Sequence, residues 1–211
     1  MSPLIGLVIA YLAGSIPFAY LAGRLMKGID LRTVGSGNLG ATNVFRTLGA
    51  PAGVSVMLLD ITKGAVPVYW LPRLLGVGAP VTDSATWWAL AYGVMAIVGH
   101  AKPIFLMWKG GGKGVATAAG IFLAVIPGPL LGTFAVFALT SVLSGYVSVG
   151  SLTAATLFPL WVWFDRGASP VLYTALVVGV FVWWTHRANI SRLRAGTEGR
   201  VFGKKKAGGR S

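Results

Sequence analysis

Seven apolar stretches run along the chain, separated by short polar ones. The first, residues 3–23, is long enough at about 1.5 Å per residue to cross roughly 30 Å of hydrocarbon. Residues 52–72 and 85–101 repeat the pattern, and 171–185 form the last run. Between Gly114 and Phe164 no charged side chain occurs, so spans there must be divided by other signals. Pro127-Gly128-Pro129 is a turn signal that cannot continue a helix, and SGYVSVGS (144–151) is a second polar break. Reading both as boundaries predicts short helices over 115–126, 130–143 and 152–164. Backbone groups inside lipid must be paired internally, so each crossing is a helix. The pattern predicts an all-α fold, a polytopic transmembrane bundle of seven spans; five crossings with a re-entrant segment fit the same pattern.

Charge orients the bundle. Arg24, Lys27, Arg32 and Arg46 outweigh Asp30 in the segment after the first run, and Lys102, Lys109 and Lys113 follow the third. Residues 186–211 carry eight basic side chains and one acid. The positive-inside rule places all three segments in the cytoplasm, with the N-terminus outside and the C-terminus cytoplasmic. Met1-Ser2-Pro3 lacks the positive n-region of a signal peptide, so the first run reads as a retained span. Composition agrees: 55% of residues are hydrophobic, 11% are charged, and mean hydropathy is +0.74. The absence of cysteine excludes a disulfide framework and a thiolate metal site. The net charge of +13 is therefore a property of the loops. Residues 1–198 read as one membrane domain, and 199–211 as a basic, disordered cytoplasmic tail. Its GKKKAGGR stretch (203–210) suits anionic lipid at about 1 kcal/mol per basic residue.

Every glycine-rich polar stretch falls on the predicted cytoplasmic side. In VGSGNLGATNVFR (34–46), Gly35, Gly37 and Gly40 let backbone approach a ligand that Ser36, Asn38, Thr42, Asn43 and Arg46 could line. The same residues would also serve as turns and caps, Thr42 or Asn43 capping a short helix. KGGGKGVATAAG (109–120) puts Lys109, Gly111, Gly112, Lys113 and Gly114 at a helix start, where free N–H groups and an ammonium suit a phosphate. It is not a nucleotide-binding P-loop, because Gly114 follows Lys113 where Ser or Thr is required. A basic flexible turn at a membrane boundary is its plain alternative. His186 and Asn189 share a helical face near the inner end of the last span, and the arginines around His186 favour the neutral ring. Anchoring of helix depth explains that cluster equally well. Glu198, the only glutamate, is expected to pair with one of these arginines. Asp60 and Lys63, three apart within an apolar run, are expected to form an ion pair of structural function. His100, at the inner end of the third span, reads as a satisfied interfacial histidine.

Four stretches, GSGNLGATNVFR (35–46), D-x-x-K-G (60–64), GGKGVAT (111–117) and H-R-x-N-I-x-R-L-x-x-G-x-E (186–198), occur in that order. With them the sequence resembles the bacterial acyl-phosphate:glycerol-3-phosphate acyltransferases, the PlsY family of inner-membrane enzymes. The resemblance implies seven helices with an outer N-terminus and an active site facing the cytoplasm. It implies transfer of a fatty acyl group from acyl phosphate to the 1-hydroxyl of sn-glycerol 3-phosphate, giving lysophosphatidic acid and inorganic phosphate. By the same resemblance Ser36, Arg46, His186 and Asn189 are catalytic, the glycine loop with Lys113 binds glycerol 3-phosphate, Ser151 contacts substrate and Glu198 is structural.

Acyl phosphate is already activated, so no nucleotide, metal or other cofactor is implied. The expected partners are the two substrates and membrane lipid, without nucleic acid or an obligate protein. The H-x-x-x-x-D pair of acyl-thioester acyltransferases is missing, since Phe105 stands five residues after His100 and Ser191 five after His186. A small transporter of anionic metabolites is the alternative, but it would ordinarily place more ionisable groups near the midplane than Asp60 and Lys63. A structural, lipid-binding membrane protein would leave the glycine motifs unexplained.

Overall fold

The computed structural model describes residues 2–78 and 83–202; the GKKKAGGR stretch lies outside the described residues. Described residues form helices and turns without strands. Helix α1 (Pro3–Ser15) starts with Pro3 in its first turn and Ser2 as its cap, accepting from the Leu4 N–H at 3.4 Å. Pro17 breaks the run before α2 (Phe18–Lys27), which ends at Gly28 in the left-handed region. The polar segment after it contains a short helix, α3 (Ala41–Leu48). There follow α4 (Ala50–Leu74), α5 (Asp83–Ala101), α6 (Val115–Val125), α7 (Pro127–Ser144), α8 (Val147–Arg166), α9 (Pro170–Thr185) and α10 (Arg187–Arg194).

Two boundaries differ from the sequence expectation. Pro127-Gly128-Pro129 does not lie between helices but forms the first turn of α7, where N–H groups have no intrahelical acceptor and proline costs nothing. The expected break at 144–151 is shorter, because α8 starts at Val147 and takes in Ser148 and Ser151. Five segments of the described residues are long and apolar enough to cross a membrane: Pro3–Lys27, Ala50–Leu74, Ser84–Leu106, Pro127–Ser144 and Val147–Arg166. Joining α9 to α10 across a 52° bend makes six. Helix α6, with 11 residues, is too short on its own at about 1.5 Å per residue.

That short helix is held inside the protein. A Cβ on Gly64 of α4 would lie 2.1 Å from the Thr117 carbonyl oxygen, and one on Gly120 would lie 1.9 Å from that of Ile61. Glycine thus brings the α4 and α6 backbones together, as small residues do where lipid supplies no hydrophobic drive. Gly14 and Gly99 join α1 to α5 in the same way, against Ala96 and the Tyr11 carbonyl. Val68, Leu90, Ile121, Phe122, Val162 and Val178 fill the core, while Leu58, Leu139, Val142, Leu143 and Val180 lie on outer faces.

Candidate active site

The loop before α3 is built around Asn43. Its Oδ1 accepts from the Ser36 N–H at 3.0 Å, and its Nδ2 donates to the carbonyls of Leu31 and Val34, both at 3.1 Å. A Cβ on Gly35 would meet Asn43 Oδ1 at 2.2 Å, and Gly35 and Gly37 both have positive φ. Asn43 is buried and its donors are fully occupied, so it shapes the loop instead of reaching a phosphate as the sequence suggested. Nor does it or Thr42 cap α3, whose cap is Gly40 without a side-chain bond. The staple presents Ser36 on the surface, its hydroxyl without a hydrogen bond among the described residues. Thr42 is half-buried in the first turn of α3, and Arg46, one turn on, donates to the Gly199 carbonyl at 2.5 Å.

Asn38 Nδ2 and the Leu39 N–H both donate to the Gly111 carbonyl at 3.1 Å, joining this loop to the glycine loop. Arg32, paired with Asp30 at 2.6 Å, adds a bond to the Lys109 carbonyl at 3.2 Å. The Arg32 guanidinium holds the Asp30 carboxyl well below its usual range. Gly112 N–H donates to the His100 carbonyl at 3.1 Å, and the N–H groups of Gly111, Lys113 and Gly114 have no partner among the described residues. They stand at the N-terminus of α6, where an anion would complete them. The Lys109 side chain is exposed and pairs with nothing among the described residues.

The Lys113 ammonium donates to Asn189 Oδ1. Burial lowers its pKa to about 8; Glu198 opposes the shift, and Arg192 and Arg46 add to it. Asn189 in turn donates to Glu198 Oε1 at 2.7 Å, joined there by Ser148 Oγ at 3.2 Å, and Arg192 Nε reaches Oε2 at 2.6 Å. Burial alone would raise the Glu198 carboxyl, but the bonds from Asn189 and Arg192 hold it below its ordinary value. His186 sits just beyond the end of α9. Its Nδ1 lies 2.8 Å from the Val182 carbonyl, so that nitrogen carries the proton and Nε2 the lone pair. Burial, then the Lys113 charge, pushes the ring down to about 4, which keeps it neutral.

The structure therefore brings Arg46, Lys113, His186, Asn189 and Glu198 within one electrostatic neighbourhood, with Asn38 bonded to the glycine loop beside it. Ser151 differs from expectation: it is buried and donates to the Val147 carbonyl at 2.9 Å, one turn back on its own helix. Ser148, which sequence reasoning passed over, is the serine that reaches Glu198. Arg192, one of the arginines that flank His186 in the sequence, is the one that pairs with Glu198. The signal for both was present in the motifs, since Y-V-S-x-x-S offers two serines and the C-terminal motif several arginines to a single glutamate.

The family model described as glycerol-3-phosphate acyltransferase matches residues 4–196. A glycerol-3-phosphate acyltransferase of Geobacter sulfurreducens is 44% identical over 95% of this chain and 98% of its own. One of Thermosynechococcus vestitus is 42% identical over 92% of each. The chain belongs to the glycerol-3-phosphate acyltransferase family. Crystal structures of PlsY (YgiH), an integral membrane glycerol 3-phosphate acyltransferase, share the fold: the glycerol 3-phosphate form has a TM-score of 0.85 at 40% identity, covering 95% of this chain and 96% of that one. The lysophosphatidic acid form has a TM-score of 0.83 at 38% identity, covering 95% of each.

Within this family member, the arrangement suits a polyanion. Arg46, Lys113 and Arg192 face one carboxylate, leaving positive charge unmatched, and the glycine loop adds unpaired N–H donors. Asn189 couples the two halves by accepting from Lys113 and donating to Glu198. Deeper in the bundle, Lys63 pairs with Asp60 at 2.8 Å inside α4, the mutual ion pair that their spacing led us to expect.

Proposed function

We propose that this chain transfers a fatty acyl group from acyl phosphate to the 1-hydroxyl of sn-glycerol 3-phosphate, releasing lysophosphatidic acid and inorganic phosphate. The observation that carries this reading is the nearness of Arg46 to Lys113, whose own N–H and those of Gly111 and Gly114 lack partners among the described residues, in a member of this family. Two phosphorylated substrates need such charge to lie close together, and holding them supplies proximity.

The glycerol hydroxyl attacks the acyl carbon, and the acyl carbon–oxygen bond to phosphate breaks. Lys113 and the glycine N–H groups grip the phosphate of glycerol 3-phosphate, assisted by Asn38 and Thr42. Arg46 offsets charge on the departing phosphate and on the tetrahedral oxyanion. Ser36, free at the loop tip, donates to the acyl phosphate. His186 Nε2 accepts from the attacking hydroxyl, while Asn189 orients Lys113. A ring held near 4 is a weak base at neutral pH, so the hydroxyl proton passes on to the departing phosphate, the stronger base.

The same reading assigns residues 1–198 to a single membrane domain in the bacterial inner membrane. It counts seven crossings, α6 being a short one, with the N-terminus outside. The basic segments around the site, Arg24 to Arg46, Lys102 to Lys113 and Arg187 to Arg200, support a cytoplasmic active site.

The test is phosphate release by detergent-purified protein given palmitoyl phosphate and glycerol 3-phosphate. Release that requires both substrates supports the assignment. Uptake by liposomes without turnover would support a transporter instead, and near-parental acyl transfer by Ser36→Ala or Arg46→Ala would overturn the site.

A further inference from the structure

Three buried ionisable side chains outside the cluster described above lie under the glycine loop. His100 stands in the last turn of α5, and its ring forms the seat of Gly112: a Cβ placed there would lie 1.9 Å from His100 Nε2. The His100 carbonyl accepts the Gly112 N–H, so ring and backbone hold the same residue. On the other edge of the ring, Nδ1 is 3.6 Å from Asp60 Oδ1, a charge-to-ring contact longer than a hydrogen bond. Asp60 is fixed by Lys63 at 2.8 Å, and Lys63 Nζ donates again, at 2.9 Å, to the Ile16 carbonyl where Pro17 breaks the first span. A void of about 10 Å³, room for one water, lies between Ser15, Lys63, His100 and Gly111.

Burying three such groups is expensive, and apolar side chains of similar volume would pack these helices as well or better. Packing alone therefore does not account for them. What they share is a continuous path from the α1–α2 break, through α4 and α5, to the residue preceding Lys113. We propose that His100, oriented by the Asp60–Lys63 pair, is a positioning residue for the glycine loop, setting the backbone N–H groups and Lys113 at the distance a phosphate requires. This rests on the reading that the loop binds the phosphate of glycerol 3-phosphate.

The experiment measures acyl transfer over a range of glycerol 3-phosphate concentrations, with melting temperature, for His100→Gln, His100→Phe and Asp60→Asn in the purified full chain, with Lys113→Ala alongside. Misplacing the loop should raise the KM for glycerol 3-phosphate roughly tenfold or more, with a smaller effect in the polar His100→Gln than in His100→Phe. The kcat and the KM for palmitoyl phosphate should change less, because Ser36 and Arg46 are held by Asn43 and Gly199 and not by His100. Should His100→Phe fail to fold, His100→Gln and Asp60→Asn carry the test. Variants that melt lower while keeping the parental KM would show a purely structural role and overturn the proposal. If Lys113→Ala raises the KM and the other variants do not, the phosphate reading stands and the positioning role falls. If Lys113→Ala leaves the KM unchanged, the phosphate reading itself fails.

Discussion

Gly111→Ala isolates the geometry of the glycine loop, the proposed phosphate site, from its charge. Gly111 has no positive φ, so alanine is allowed by the backbone, but its Cβ would lie 2.1 Å from the Ala101 carbonyl oxygen and 2.6 Å from its carbon. The obstacle is backbone at the end of α5, which cannot rotate away as a side chain would. The loop must retreat by more than an ångström to reach ordinary contact, straining the bonds from Asn38 Nδ2 and the Leu39 N–H to the Gly111 carbonyl. A displacement of about 1 Å in a positioning element costs on the order of 100-fold in efficiency, about 3 kcal/mol at 1.4 kcal/mol per factor of ten. The loss should fall mainly on the KM for glycerol 3-phosphate, read from initial rates of phosphate release with palmitoyl phosphate saturating. Gly128→Ala is the control: nothing lies within 4 Å of a Cβ there, and it should behave as the parent. A Gly111→Ala enzyme with parental kcat and KM would show that the loop does not touch substrate.

Glu198→Gln removes a buried carboxylate that receives Asn189, Arg192 and Ser148, and hydrogen bonds to a charged group contribute about 1.5–3 kcal/mol each. With Arg192 partly exposed, we expect a net loss of about 2–3 kcal/mol, seen as a lower melting temperature, together with weaker acyl transfer as Asn189 loses its orientation. The Lys113 ammonium, lowered to about 8 from an ordinary 10.5, discharges as pH rises through that range, so the KM for glycerol 3-phosphate should climb above pH 8. The unfolded chain still holds its proton between about 8 and 10.5, so protein stability from this group rises over the same window while binding weakens; Lys113→Arg should abolish the KM inflection. His186, held down to about 4, should show the neutral Nδ1–H tautomer at pH 5.5 in histidine-labelled NMR spectra, and a charged ring there would contradict its assigned role. Gly120→Val forces a side chain against the Ile61 carbonyl, 1.9 Å from the Cβ position, and should lower thermal stability by about 2–3 kcal/mol by parting α4 from α6.

Hydrophobic patterning determined much of this fold by itself. The lengths of apolar runs gave helices at nearly every expected place, because lipid admits no other spanning element and each helix answers to its own local composition. Glycine and basic clusters marked the polar loops for a similarly local reason: only glycine opens backbone amides to an anion, and only Lys or Arg compensates one. Local signals failed where two interpretations shared the same residues. Pro127-Gly128-Pro129 can end one helix or begin the next, and here it begins α7, whose first-turn N–H groups need no intrahelical acceptor. Asn43 carries the same amide whether it grips a ligand or staples its own loop; three partners at 3.0–3.1 Å decided for the staple. Ser148 rather than Ser151 reaches Glu198 because the start of α8 turns that face toward the C-terminal segment, 50 residues further along the chain. The seat of Gly112 on His100, and of His100 beside Asp60, joins a loop residue to two separate helices. Sequence determined which groups this protein has and in which polar segments they lie. Tertiary packing decided which of them meet, because hydrogen bonds and ion pairs fade within a few ångströms and only the folded bundle sets those distances.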